Sequence, residues 1–186
     1  RKIMRIIGGT FGGIRLNPPT SLPVRPTTDM AKEALFNILQ NRLDFDGLRC
    51  LDLFAGTGNI SFELASRGVL AITAVDIHFK CLEYISQTAA KMNIKNIQTK
   101  KGDVFKYIQT AKGDFDFIFA DPPYDIAQLP QLAEMVLAQN LLHPEGLLVV
   151  EHPSSRHMEA SAHYVETRKY GNSSFSFYRL SSPEEV

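Results

Sequence analysis

A chain of 186 residues with 20 Lys and Arg against 20 Asp and Glu carries no formal net charge, and 44% of its residues are hydrophobic. That length suits one domain with a buried core, no apolar run reaches the ~18 residues that a membrane span needs, and no signal-peptide pattern opens the sequence. The two cysteines, Cys50 and Cys81, disfavour a disulfide scaffold and a thiolate metal site, so a cytoplasmic location without metal is the expectation.

The neutral total hides an uneven distribution. Residues 1–28 hold five bases (Arg1, Lys2, Arg5, Arg15, Arg25) and no acid, whereas residues 50–186 hold 12 bases and 16 acids. A basic arm on a mildly acidic body can approach phosphate while the body serves another ligand. The arm, residues 1–28, is expected to pair Arg5–Ile7 with Ile14–Leu16 through a glycine-rich turn. Prolines 18, 19, 23 and 26 then keep the chain extended. Thr28 or Asp29 can cap a helix to about Asn41, with Met30, Ala34, Leu35, Ile38 and Leu39 at helical spacing.

From Arg49 the pattern becomes regular. Strands are expected at Cys50–Leu53, Ala71–Val75, Ile97–Lys101, Phe115–Ala120 and Leu147–Val150. Helices are expected at Asn59–Arg67, Phe79–Met92, just after Asp103, and at Leu129–Gln139. This alternation predicts an α/β, Rossmann-like domain over residues 29–186, with a mostly parallel sheet covered on both faces. The tail, Tyr164–Tyr170 and Phe175–Leu180 around Gly171-Asn172, reads as a hairpin, with Tyr170, Phe175, Phe177 and Tyr178 taken as alternating packing residues. In such folds ligands sit beyond the carboxyl ends of the strands.

The residues at those ends are acids. The first strand runs into Asp52-Leu53-Phe54-Ala55-Gly56-Thr57-Gly58. Glycines 56 and 58 permit a tight turn with a helix start behind it. A carboxylate four residues before the first glycine, and Ser61 where a third glycine would stand, do not suit a pyrophosphate. Asp52 instead suits a cationic group, which disfavours a nicotinamide dehydrogenase. Asp76 ends the second strand, at a distance that suits the hydroxyls of a ribose. Asp103 follows the third strand and could accept from an adenine amino group. Each of the two could equally be a helix cap, but acids ending three successive strands together describe a nucleoside with a cationic end.

The fourth strand ends in Asp121-Pro122-Pro123-Tyr124. The two prolines stiffen the backbone, so the Asp121 carboxylate and the Pro122 carbonyl can face the same way. Two such acceptors hold both hydrogens of a planar amino group and orient its lone pair toward an electrophile. Tyr124 offers a ring for stacking on a base.

With these motifs the chain resembles class I S-adenosylmethionine-dependent methyltransferases that act on exocyclic amino groups. Met4-Arg5-Ile6-Ile7 with Gly9 and Gly13, Arg25-Pro26-Thr27-Thr28-Asp29, Lys32-Glu33, Leu35-Phe36-Asn37, Glu63 and Ser66-Arg67-Gly68 narrow the resemblance to the RsmD family. That family methylates guanine N2 in 16S ribosomal RNA. The resemblance implies a seven-stranded sheet with an antiparallel last strand. It also implies Asp52, Gly56 and Gly58 at the methionine end of the cofactor, Asp76 at the ribose and Asp103 at the adenine, with Phe54 and Val104 as further contacts. Asp121, Pro122, Pro123 and Tyr124 would form the catalytic motif. Arg5, Arg15, Arg25, Thr27 and Tyr124 would meet the RNA, with an assembling small ribosomal subunit as partner. The ribose acid is Asp76 where the family often has Glu, His78 stands where an acid often follows, and Phe11 occupies an arm stretch that lacks bases.

Other expectations stay open. An amino-methyltransferase acting on DNA adenine would need an added recognition domain, and one acting on protein glutamine typically has Asn in place of Asp121. A catalytically silent RNA-binding module is disfavoured by the presence of Asp121 and Asp52. Glu151-His152 with His157 lacks the surroundings of a metal site. Lys100-Lys101 reads either as a solvated pair or as an RNA contact.

Overall fold

In the computed structural model, which describes residues 3–24 and 27–181, each expected element is present. The arm forms β1 (Met4–Arg5) and β2 (Arg15–Leu16), followed by α1 (Asp29–Arg42). Then come β3 (Arg49–Leu53), α2 (Asn59–Ser66), β4 (Ala71–Asp76), α3 (Phe79–Lys91), β5 (Ile97–Lys101) and α4 (Val104–Thr110). β6 (Phe115–Ala120), α5 (Leu129–Ala138), β7 (Leu142–Pro153), β8 (Tyr164–Tyr170) and β9 (Ser173–Tyr178) complete the chain. The sheet runs β5–β4–β3–β6–β7–β9–β8, with β9 antiparallel to both of its neighbours and every other pairing parallel. No helix among the described residues is long and apolar enough to cross a membrane.

Strand alternation divides the core between two faces. Leu51, Leu53, Ile118, Ala120, Leu148 and Val150 pack with α4 and α5. Cys50, Phe117, Phe119, Leu147 and Val149 pack with α1 and α2 on the other face. β7 starts five residues earlier than its apolar run suggests, because its register with β6 shifts between Phe115 and Phe117. Pro144 and Gly146 sit in that irregularity, where a ladder donor is not required. β9 is not a strand with one wet face. It lies inside the sheet, and Phe175 and Phe177 enter one core cluster while Tyr178 enters the other. Its serines are buried by pairing instead, as with Ser176, which lies 2.7 Å from His152 Nε2 and 2.8 Å from Thr167 Oγ1.

α1 departs from expectation on one face. Thr28 caps it by accepting from the Ala31 amide, but Met30 is 77% exposed and the buried stripe is Ala31, Lys32, Leu35, Phe36 and Leu39. Lys32 is in that stripe because its charge has a partner. Its ammonium reaches Glu63 Oε1 at 3.1 Å, the Arg5 carbonyl at 2.8 Å and Asn59 Oδ1 at 2.9 Å. Glu63, fully buried, also accepts from the amides of Ile7 (2.8 Å) and Gly8 (3.0 Å) and from Arg67 Nε (3.0 Å).

Burial alone would raise the Glu63 carboxyl, yet the two amides, Lys32 and Arg67 hold it below the usual carboxylate range. Burial lowers Lys32 from its ordinary value even with Glu63 beside it. Ser66 extends the clasp, its carbonyl accepting from Thr10 N at 2.8 Å and its hydroxyl from Phe11 N at 2.9 Å. Gly9 makes this approach possible, since a Cβ there would lie 1.8 Å from the Ser66 carbonyl oxygen. The arm is thereby fastened across α1 and α2. Removing one partner of a buried ion pair strands the other charge. Glu63→Gln is therefore expected to destabilise the fold by about 3–5 kcal/mol in chemical denaturation, and a change within about 0.5 kcal/mol, as at an ordinary surface site, would refute this role.

Candidate active site

The carboxyl ends of β3, β4, β5 and β6 open on one cleft of about 430 Å³. It lies where the sheet order reverses, with β4 on one side of β3 and β6 on the other. A cleft of that size accommodates a ligand of drug-like dimensions.

Asp52 on β3 is buried in the cleft wall, and the Ser61 hydroxyl donates to its Oδ2 at 2.7 Å. Burial pushes the Asp52 carboxyl up to about 7, nearby Asp76 adds to the rise, and hydrogen bonds from Ser61 oppose it. The turn that follows is left-handed at Phe54 (φ 58°) and again at Gly56 and Gly58. For a phenylalanine this conformation costs about 1–2 kcal/mol. It places the Phe54 ring edge-on to Phe105, with centroids 6.1 Å apart. Phe54 and Gly56 line the cleft, but Gly58 does not. Gly58 caps α2, and a Cβ there would meet Ile85 Cγ1 at 2.9 Å. The left-handed backbone (φ 84°) and this close packing both call for glycine at that position.

Asp76 is not the α3 cap; His78 holds that position. Its carboxylate accepts the Gly56 amide at 2.8 Å and the His78 amide at 2.8 Å, tying the glycine turn to the end of β4. A carboxylate has about four acceptor positions, so these two amides leave it capacity to accept from further donors in the cleft. Asp103 does cap its helix, accepting from Lys106 N at 3.1 Å, and also lines the cleft beside Val104 and Phe105. Cap and ligand contact are compatible at this position.

Asp121, Pro122, Pro123 and Tyr124 form the opposite wall. The Asp121 amide donates to the Leu53 carbonyl at 3.2 Å, which joins this loop to the end of β3. The Tyr124 hydroxyl is hydrogen-bonded to the Ser173 hydroxyl at the start of β9. The arm supplies cleft residues that the motifs did not indicate, namely Met4, Pro23 and Val24. Thr57 Oγ1 donates to Met4 Sδ at 3.0 Å. Apolar character alone could not single out Met4 and Val24 in the sequence, because Ile3, Ile6, Ile7, Phe11, Ile14, Leu16 and Leu22 share it along the arm.

Thr27 lines this cleft and a second one of about 440 Å³, formed with Ile3, Arg5, Arg15, Thr28 and Asp29. Its hydroxyl donates to both Glu151 carboxylate oxygens, at 3.0 and 3.2 Å. Arg5 and Arg15 are register partners across β1 and β2, and Arg5 Nε lies 3.2 Å from Asp29 Oδ2 in an exposed pair. Arg25 lies outside the described residues. Among the described residues no cluster of three His, Cys, Asp or Glu side chains could hold a metal ion.

The model of the family described as conserved hypothetical protein 95 matches residues 4–179. The chain belongs to this family, the RsmD methyltransferases. It is 33% identical over 183 residues to YlbH of Bacillus subtilis (strain 168), covering 95% of this chain and 98% of that protein. It is 32% identical over 160 residues to ribosomal RNA small subunit methyltransferase D of Haemophilus influenzae, covering 80% and 78%. The solved structure of yhhF from Escherichia coli superposes with a TM-score of 0.80 at 26% identity, over 95% of this chain and 97% of that one. Apart from Gly58, every residue that the resemblance gives to the cofactor lines the main cleft of this RsmD-family chain.

Asp52 gives that cleft a pH dependence. A cationic amino group favours the ionised carboxylate, and below about pH 7 a proton occupies Asp52 and must leave on binding. Calorimetric affinity for S-adenosylhomocysteine is expected to rise with pH up to about 7, by at most about tenfold per unit, and then to level off. In Asp52→Asn the profile is expected to be weak and flat between pH 5 and 7. An unchanged slope in that variant would refute the assignment.

Proposed function

We propose that this protein transfers a methyl group from S-adenosylmethionine to the exocyclic N2 amino group of a guanine in 16S ribosomal RNA, with an assembling small ribosomal subunit as its setting. The observation that carries this reading is the convergence, in one cleft, of Asp52, Asp76 and Asp103 with the Asp121-Pro122-Pro123-Tyr124 motif. The relatives named for ribosomal RNA small subunit methylation support the substrate class.

Asp52 would hold the cationic methionine end, Asp76 the ribose hydroxyls and Asp103 the adenine amino group, with Phe54, Gly56 and Val104 packed around them. Bound there, the cofactor supplies an electrophilic sulfonium methyl and departs as S-adenosylhomocysteine. On the facing wall the target guanine, out of its stack, lies against the Tyr124 ring. The Asp121 carboxylate and Pro122 carbonyl accept its two amino hydrogens, and Pro123 keeps the loop stiff. This fixes the nitrogen lone pair in the direction of attack and stabilises the positive charge developing on nitrogen. Asp121 need not be a strong base, because the methylated ammonium is very acidic and releases its proton readily. Arg5, Arg15, Arg25 and Thr27 are assigned to the RNA strand beside the target, with the arm (residues 1–28) serving residues 29–186 as its RNA-facing extension.

Asp121→Ala is expected to lower methyl transfer to 16S ribosomal RNA by about 100-fold or more, since misplacing a reacting group by ~1 Å can cost that much. Calorimetric binding of S-adenosylhomocysteine should persist. Full activity in this variant would overturn the mechanism.

A further inference from the structure

Beyond the end of β4 the chain turns outward. Asp76 is buried, but the next side chains are not, with Ile77 54% and Phe79 57% exposed. Phe79 opens α3, whose buried stripe is Cys81, Leu82, Ile85, Thr88 and Ala89, so its ring is not used by that packing. Lys101, the register partner of Asp76 on the edge strand β5, holds its ammonium 5.9 Å from the Phe79 ring centroid. Lys80, the residue after Phe79, is exposed on another face of the helix, and Glu83, one turn along α3, is exposed on the same face as Phe79. Ile77 and His78 line the cofactor cleft, whereas Phe79 and Lys101 do not. A ring face with the Lys101 ammonium beside it is thus exposed just outside the mouth of the cleft, at the start of a helix whose buried face packs with Met4, Ile6 and Leu16 of the arm.

We propose that Phe79 and Lys101 form a second RNA-contact surface, on which an unpaired base outside the target nucleotide stacks on Phe79 while Lys101 meets its phosphate. The inference rests on the RNA reading above and extends it to nucleotides beside the target that reach this rim. Charge complementarity favours this occupant. An aromatic face beside a lysine ammonium suits a base with its phosphate, and it lies at the edge of the very cleft into which the target base must enter.

Steady-state methyl transfer to 16S ribosomal RNA, both deproteinised and in small-subunit assembly particles, tests it. Phe79→Ala is expected to raise the KM for RNA by about fivefold or more, the range expected from loss of one base stack, with kcat and S-adenosylhomocysteine affinity unchanged. Phe79→Trp should restore the KM, and Lys101→Gln should raise it while Lys101→Arg does not. Because Phe79 is more than half exposed, the variants should keep the parent melting temperature, which separates lost contact from lost fold. An unchanged KM in Phe79→Ala would overturn the proposal. So would a loss of S-adenosylhomocysteine affinity, which would assign the rim to the cofactor pocket, or a defect in particles alongside parent-like binding of the deproteinised RNA, which would assign it to a protein partner. Absence of wild-type methylation on both the deproteinised RNA and the particles would reject the underlying reading instead.

Discussion

The Glu63 carboxylate fixes where the arm lies, and the site depends on that placement. Buried at the centre of α2, it gathers two arm amides, the Lys32 ammonium and the Arg67 guanidinium. A buried charge is tolerable only when its acceptor positions are filled, and here half of the fill comes from the arm backbone. The arm cannot lift without leaving the carboxylate underpaired. Through this clasp Met4 reaches Thr57 in the cleft, and Arg5 and Arg15 border the neighbouring one.

The sheet does the complementary work. Parallel strands bring their carboxyl ends to one side, so Asp52, Asp76, Asp103 and Asp121, spread over seventy residues of sequence, come to face one cleft. The zero net charge of the chain is then a sum of two unlike surfaces. The acids concentrate where a cationic cofactor and an amino group are proposed to sit. The described bases of the arm, Arg5 and Arg15, border an adjoining cleft where phosphate can approach.

Most of this arrangement was legible in the sequence because it rests on periodicity and on chain order. Alternating strands and helices gave the sheet, and acids after successive strands marked its ligand side. What escaped depends on contacts between residues distant in the chain. Lys32 and Glu63 were visible as parts of a family resemblance, but the resemblance did not say that both are buried against each other. Met30 fits the helical spacing of α1 yet faces outward, because the stripe includes the paired Lys32 in its place. Gly58 looked like a ligand glycine, and its neighbour Ile85, twenty-seven residues on, gives it a packing reason. β9 read as one strand of a hairpin with packing aromatics, and its place between β7 and β8, which the hairpin pattern does not give, buries Ser174 and Ser176 along with the aromatics.

The central claim, that this cleft methylates guanine N2 in 16S ribosomal RNA, is tested most directly by mapping modified nucleosides. The 16S ribosomal RNA of a strain lacking this gene would be compared, by mass spectrometry of nuclease fragments, with that of its parent. The account predicts that one N2-methylguanine in the parent is replaced by unmodified guanine in the deletion strain and returns when the gene is restored. An identical N2-methylguanine pattern in the two strains would contradict it.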